Sequence, residues 1–424
     1  MKKIKFLTLS LMALLMACFT ACNNNAAVDY SEYIVGTWTA HLTNYAEALV
    51  FNADGTMKTH IAGPSGEDLS VIDQYFEDHG TYTLKGNKLT MVWSDGTKYD
   101  ITITISPYKL LAFDYDGNGI DFDYDYCEED LSDEVVGMWV CNNTLNNVEN
   151  AENDMLIQTF NADGSVVVTG YMADVDDFLI NATGATYKIV GDLMFHLTPK
   201  HAIEEGYASC IPMRIAYAPN ALAYGDVMNL TLYVPVADKV IESTTSFLRV
   251  KETLDLAGKK YFYHDVFVTN VDGEDKDIPF FDTTINFAKW DNSLMNNFLS
   301  ATLFSVEFPD ANAMKYSFLL ANNITTYPPT SIEVEGNKMT IKMSANNSVY
   351  KDVELYAFQD KDNSQLHMYM PTKSFENFFG NMQVNIMVEK GQLDLTDADA
   401  VKTVFDNIES AVETINLSLV FKAK

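Results

Sequence analysis

The chain is short of basic residues, of cysteine and of long apolar runs, and each shortage excludes something. Lys and Arg number 28 against 59 Asp and Glu, a formal net charge of −31. A field of that sign repels nucleic acid and anionic head groups, so neither is expected as a partner. Past the leader, no apolar run reaches the roughly 18 residues that a membrane-spanning helix needs. Only 5 cysteines occur in 424 residues, and Cys127, Cys141 and Cys210 are those beyond the leader. An odd set is no disulfide framework. One bridge remains open, Cys127–Cys141 or Cys141–Cys210, beside the alternative of three buried thiols. No CxxC and no Cys/His cluster with zinc spacing occurs, and none of the 7 histidines sits in a ligand spacing. Nor is there a Gly-x-Ser-x-Gly elbow, a Walker loop or a dinucleotide fingerprint. Carboxylate pairs are everywhere in so acidic a chain, so no pair marks a glycosidase. The expectation is a protein that is not an enzyme and carries no resident cofactor.

What is present is enough apolar residue, 47%, to bury a core, over a length that fits about two to four domains. The N-terminus reads as a leader. Lys2, Lys3 and Lys5 precede an apolar run from Phe6 to Phe19, then small residues and a cysteine. Asn23-Asn24-Asn25-Ala26-Ala27 follows as a polar tether. The stretch resembles a bacterial lipoprotein signal, in which cleavage exposes a cysteine for lipidation. Cys22, where the polar run begins, is the expected anchor, with Cys18 as the alternative. The segments are 1–21 as signal peptide and 22–33 as tether. That resemblance implies a cell-envelope address on the outer membrane, facing the periplasm or the cell surface.

Three blocks then occur twice in the same order. Ile34-Val35-Gly36-Thr37-Trp38 returns as Val135-Val136-Gly137-Met138-Trp139. Phe51-Asn52-Ala53-Asp54-Gly55-Thr56 returns as Phe160-Asn161-Ala162-Asp163-Gly164-Ser165. Tyr82-Thr83-Leu84-Lys85-Gly86-Asn87 returns as Tyr187-Lys188-Ile189-Val190-Gly191-Asp192. Between them lie short alternating stretches and tight turns, among them Asn52 to Gly55, Ser94-Asp95-Gly96-Thr97 and Asp116-Gly117-Asn118-Gly119. Such a pattern predicts antiparallel meanders, and closing each into a barrel removes its edges. Glu128 to Glu134 reads as an acidic linker. A weaker third echo runs from Leu256-Ala257-Gly258 through Gly336-Asn337-Lys338 to Leu366-His367-Met368-Tyr369-Met370-Pro371. The expected units are 34–131, 132–253 and a divergent 254–424. Within the third, Val401, Val404, Phe405, Ile408, Val412 and Ile415 fall on one face of a helix expected over 397–415, with Thr396 and Asp399 as a capping box. Trp290 to Leu299 and Ser374 to Phe379 read as shorter helical turns.

The Gly-x-Trp first strand, the Asp-Gly turn after Phe and the Tyr…Gly-Asn-x-Leu hairpin resemble the lipocalin-like (calycin-like) lipoproteins of Bacteroidota. The resemblance implies a mostly β chain of tandem antiparallel barrels with one amphipathic helix near the C-terminus. It leaves function open, because a barrel of about eight strands is either filled or holds one small ligand.

Two features point to binding chemistry. Asp114, Asp116, Asn118 and Asp121 match the start of a calcium loop, with Asp125 where a bidentate Glu would stand. A hairpin turn with solvated acids explains the same residues. Aromatics reach 12%, a supply of stacking platforms as well as of barrel core. The expected role is non-catalytic binding of a small apolar or glycan ligand in or on a barrel. The alternative is a structural or interaction module, an adhesin or assembly component with filled barrels and a protein partner.

Overall fold

In the computed structural model, residues 30–42, 44–64, 72, 74–106, 108–113, 122–142, 155–172, 177–199, 203, 209–219, 225–236, 239–272, 275–280, 283–290, 292–320 and 323–424 are described. The leader, Cys18 and Cys22 lie outside them.

The first barrel is a closed meander of eight strands in chain order. They are β1 (Gly36–Leu42), β2 (Tyr45–Phe51), β3 (Thr56–Gly63) and β4 (Gln74–Lys85), then β5 (Lys88–Trp93), β6 (Lys98–Ser106), β7 (Lys109–Phe113) and β8 (Phe122–Cys127). Closure comes from β8 lying antiparallel to β1, with Trp38 opposite Tyr126. Alternation sets the inside: on β6, Ile101 and Ile103 are buried while Thr102 and Thr104 are exposed. Trp38, Phe51, Met57, Leu89, Met91, Ile103 and Tyr124 fill the interior.

The second barrel repeats the first. Its strands are β9 (Gly137–Asn142), β10 (Met155–Phe160), β11 (Ser165–Met172) and β12 (Asp177–Val190), then β13 (Leu193–Leu197), β14 (Cys210–Ala218), β15 (Val227–Val236) and β16 (Lys239–Val250). β16 closes onto β9, with Arg249 opposite Trp139. Before β9 a single turn of helix, α1 (Ser132–Val135), follows Leu131. Leu131 is buried in the core of the second barrel, so the linker shrinks to the exposed Glu128, Glu129 and Asp130.

The third unit is also an eight-stranded meander, interrupted by insertions. In chain order its wall is β17 (Lys259–Asp272), β20 (Leu303–Asp310), β21 (Ala313–Leu320), β23 (Thr330–Glu335), β24 (Lys338–Ile341), β25 (Val353–Gln359), β26 (Gln365–Met370) and β27 (Thr414–Ala423). Pairing of β27 with β17 and of β17 with β20 closes it. The hairpin of β18 (Ile278–Phe280) and β19 (Thr283–Ile285) and the helix α2 (Asn292–Thr302) are inserted after the first wall strand. Strand β22 (Asn323–Thr326) pairs with β21 at the edge. Helices α3 (Thr372–Glu389) and α4 (Ala398–Glu409) come between the last two wall strands.

The helices correct two expectations. The amphipathic helix stops at Glu409, capped by Ser410, and Ile415 already belongs to β27. Its N-cap is Asp397, whose side chain accepts from the Ala400 N–H at 3.0 Å, in place of the Thr396–Asp399 box. The longest helix among the described residues is α3, which grows from the short turn expected at Ser374 to Phe379.

Recurrent backbone contacts show that all three units are one design. Ile103, Ile215 and Ala357 donate their N–H groups to the carbonyls of Asn87, Asp192 and Asn337 at 2.8, 2.7 and 2.8 Å. Tyr126, Arg249 and Ala423 donate likewise to Tyr108, Asp226 and Ser364, at 3.0, 3.0 and 2.7 Å. Corresponding residues in the three barrels can therefore be compared one by one.

By density of contacts the chain divides into two compact units, 1–40 with 47–61 and 76–128, and 41–46 with 62–75 and 129–424. The second and third barrels share one of them. Their outer walls meet where Val140, Met155 and Val250 pack on Tyr356, Phe358 and Tyr369. That contact explains why every residue of β26 is buried: one face lines the barrel, the other is covered.

Candidate functional site

The interiors are largely occupied by side chains. Within the third barrel, under α3, the cavity measures about 70 Å³ and is lined by Met314, Met368, Met382 and Phe378 among others. That is less than half of the roughly 150 Å³ that accommodates a benzene. In the first barrel the interior even holds an acid, Glu47, which is 3% exposed. Thr59 Oγ1 and Tyr124 Oη donate to its two carboxylate oxygens at 2.8 and 2.6 Å. A carboxylate satisfied on both oxygens is a structural group.

The larger space lies at one end of the first barrel. It is an open cleft of about 580 Å³, lined by Tyr30, Glu32, Tyr33, Val35, Trp38, Ile105, Ser106, Tyr108 and Tyr126. Pockets of this size hold small ligands. The turn at Tyr30–Ile34 supplies one wall, tied by the N–H groups of Tyr33 and Ile34 to the Tyr30 carbonyl. These residues therefore belong to the barrel and not to the tether expected over 22–33. Trp38 forms the floor, 2% exposed, its indole Nε1 donating to the Ile34 carbonyl at 2.8 Å. Tyr126 leans on it edge-on, with ring centroids 5.0 Å apart at 66°. Gly36 is required beneath that ring, because a Cβ there would meet Tyr126 Cε2 at 2.6 Å. The Gly-x-Trp signature is thus the seat of the cleft.

The rim is formed by Tyr33 and Tyr108, 65% and 61% exposed. Tyr108 holds φ at 68°, a conformation costly for a bulky residue. Its carbonyl anchors Tyr126 while its ring stands in solvent. Exposed rings around a buried indole, with tyrosine and serine hydroxyls and one carboxylate, can stack on a flat ligand and hydrogen-bond its edge.

At the same end of the second barrel ions take the place of the rings, and Asp226 and Arg249 border a charged space of about 300 Å³ shared with Asp360, Lys361 and Lys422. Trp139 keeps the floor and its bond to the Val135 carbonyl, 2.7 Å. Arg249 stands where Tyr126 stands, its guanidinium 5.3 Å from the Trp139 ring centre and Nη2 2.5 Å from the Val136 carbonyl. Asp226 takes the place of Tyr108, 3.8 Å from Arg249 and accepting from Tyr217 Oη at 2.9 Å. Burial and that bond push the Tyr217 phenol up to about 12. In the third barrel Gln359 occupies the matching end, donating to Tyr261 Oη at 2.7 Å and to the Asp255 carbonyl at 2.8 Å.

Of the expected sites, Asp114, Asp116, Asn118 and Asp121 lie outside the described residues. Asp125 is ion-paired with Lys109 Nζ at 2.6 Å. Among the described residues no group of three or more His, Cys, Asp or Glu is gathered as a metal site. Cys127, Cys141 and Cys210 are not disulfide-bonded, and burial pushes the Cys141 and Cys210 thiols up to about 12. No helix among the described residues is long and apolar enough to cross a membrane. The cleft itself was hidden in the sequence, since Tyr33, Tyr108 and Tyr126 are far apart along it. The signal was the change of residue between matching positions of the two repeats.

No family profile and no curated protein matches the chain. Solved structures similar to it include the Cpx pathway activator NlpE from Escherichia coli, at 13% identity and TM-score 0.17, over 50% of this chain and 92% of that one. Another is a double mutant of the vaccine antigen transferrin binding protein B from Haemophilus parasuis, at 9% identity and TM-score 0.24, over 89% of this chain and 65% of that one. Isotype 1 of that protein from serogroup B Neisseria meningitidis is similar at 9% identity and TM-score 0.20, over 90% and 66%. Likenesses this distant carry no functional argument, and the barrel assignment rests on the strand pairing itself.

Proposed function

We propose that the protein is an exported cell-envelope lipoprotein with a non-catalytic binding role, its ligand held on the tyrosine-rimmed cleft of the first barrel. The observation that supports this is the strained, 61% exposed Tyr108 beside a cleft of about 580 Å³ floored by Trp38. Strain at an exposed ring has no packing return, which is the usual mark of a functional position. The lipid anchor on Cys22, with Cys18 as the alternative, is part of the same proposal and follows from the leader. The address is the outer membrane, on its periplasmic face or at the surface. Calcium at Asp114, Asp116, Asn118, Asp121 and Asp125 is not needed for this reading.

A second reading is favoured by the filled interiors and by the ion-lined end of the second barrel: a structural or interaction module with a protein partner. The two separate in one experiment. The mature chain, 22–424, and its Tyr108→Ala variant are screened by saturation-transfer NMR against small apolar compounds and oligosaccharides. Signals that disappear in Tyr108→Ala support the cleft as a ligand site. A screen without signals, or with signals unchanged in the variant, favours the interaction module.

A further inference from the structure

The three barrels are an internal control for what the first one binds, and on the reading that its cleft is a ligand site we infer that the ligand is an uncharged saccharide. Three residues at this end of the second barrel are ionic: Glu134, Asp226 and Arg249, with Arg249 Nη1 4.0 and 3.8 Å from the two carboxylates. Their counterparts in the first barrel follow from matched backbone contacts. Glu134 and Tyr33 each donate an N–H back to the residue three before, Leu131 and Tyr30. Arg249 and Tyr126, and Asp226 and Tyr108, are matched by the N–H to carbonyl bonds at 3.0 Å in both barrels. Every charge of the triad is thus replaced by a tyrosine, on the same fold, around the same tryptophan. What covers the tryptophan of the second barrel is its own arginine, beside a charged space of about 300 Å³, and what borders the first is a set of rings.

The chemistry of that exchange selects the ligand class. With both acids and the base removed, Glu32 is the charged group among the described residues that line the cleft. The chain's net charge of −31 repels uronic, sulfated and phosphorylated ligands. An aromatic cage for a quaternary ammonium closes around one group, whereas this cleft of about 580 Å³ is open and far larger. An apolar ligand needs most of its surface enclosed, which an open rim does not provide. A pyranose ring presents an apolar C–H face and a hydroxyl edge, and it remains partly solvated when bound. Tyr33, Tyr108 and Tyr126 offer faces for the first, and phenol hydroxyls, Ser106 and Glu32 offer partners for the second.

Calorimetric titration of the mature chain tests this with cellohexaose, xylohexaose, mannohexaose and maltohexaose. Hexagalacturonate, tetramethylammonium and the neutral dye N-phenylnaphthylamine serve as anionic, cationic and apolar probes. The expected result is binding of at least one neutral hexasaccharide and none of hexagalacturonate. Tyr108→Ala and, separately, Tyr33→Ala each weaken it about fivefold to tenfold, the size of one lost ring contact. Both side chains are exposed, and thermal melts of the variants establish that they fold. Tetramethylammonium or dye binding that Tyr108→Ala abolishes, with no saccharide bound, overturns the saccharide assignment and leaves the cleft as a ligand site. Saccharide binding unchanged in both variants overturns the placement. No binding of any probe overturns the assignment together with the reading beneath it.

Discussion

Tyr108 separates a structural from a functional role at the scale of one residue. At φ 68° its Cβ is strained, so Tyr108→Gly removes strain while deleting the ring. A gain of about 0.5–1 kcal/mol in stability, or no change, is expected from denaturant unfolding. A loss well beyond 1 kcal/mol would mean that the ring is packing after all. Glu47 is the opposite case. Glu47→Ala strips two buried hydroxyls, Thr59 and Tyr124, of their acceptor and is expected to cost about 2–4 kcal/mol in the same assay. Neither role was legible in the sequence. Glu47 occupies an inward position, in phase with Leu49 and Phe51, where an apolar residue is expected, and its partner Tyr124 is far away along the chain. Tyr108 counts in the sequence as one aromatic among many possible stacking platforms, and only barrel closure brings it beside Tyr126 and Trp38.

At the scale of elements, local patterns were read well and faces covered from outside were read poorly. The turns at Asn52–Gly55 and Ser94–Thr97 form where Asp-Gly stands, each with an aspartate accepting from the backbone N–H two residues on. Helix α3 reads in the sequence only as the turn at Ser374 to Phe379 because its buried face is partly polar, with Glu376, Asn381 and Gln383 beside Phe375 and Phe379. Gly380 lets α3 meet α4, since a Cβ there would lie 2.4 Å from the Phe405 ring. Gly380→Ala should therefore cost about 1–3 kcal/mol, as overpacking does, and lower the melting temperature. Strand β26 lacks alternation because His367 and Tyr369 face the second barrel. Burial, with the Lys422 charge nearby, lowers the His367 pKa from 6.5 to about 4, and its Nδ1 finds no hydrogen-bond partner among the described residues. Between those values the unfolded chain takes up a proton that the folded one does not, so stability falls as pH drops from about 6.5 to 4. His367→Phe is expected to flatten that slope in urea midpoints taken across the window. An unchanged slope would place its origin in other groups, among them His41, which burial also lowers to about 4, and His196, which burial also lowers.

At the scale of the whole molecule, one eight-stranded meander is used three times and its end is finished three ways: with rings, with ions and with an amide. The repeat of Gly36, Asp54 and Gly86 at Gly137, Asp163 and Gly191 made the first two barrels legible. The third kept the topology under insertions that obscured its period, so only Gly336-Asn337 and the β26 segment echoed. Whereas the leader lies outside the described residues, the barrels were readable because they rest on local alternation and turn residues. The cleft was not, because it is made by long-range closure and by a difference between repeats. The most direct test of its role is fluorine NMR of residues 22–424 carrying 3-fluorotyrosine, titrated with the neutral hexasaccharides, with Tyr33, Tyr108 and Tyr126 assigned by single Phe substitutions. The expected result is a saturable shift of those three resonances while those of Tyr217 and Tyr261 stay in place. Resonances of Tyr33, Tyr108 and Tyr126 that do not move at saturating saccharide, or shifts confined to the other barrels, would contradict it.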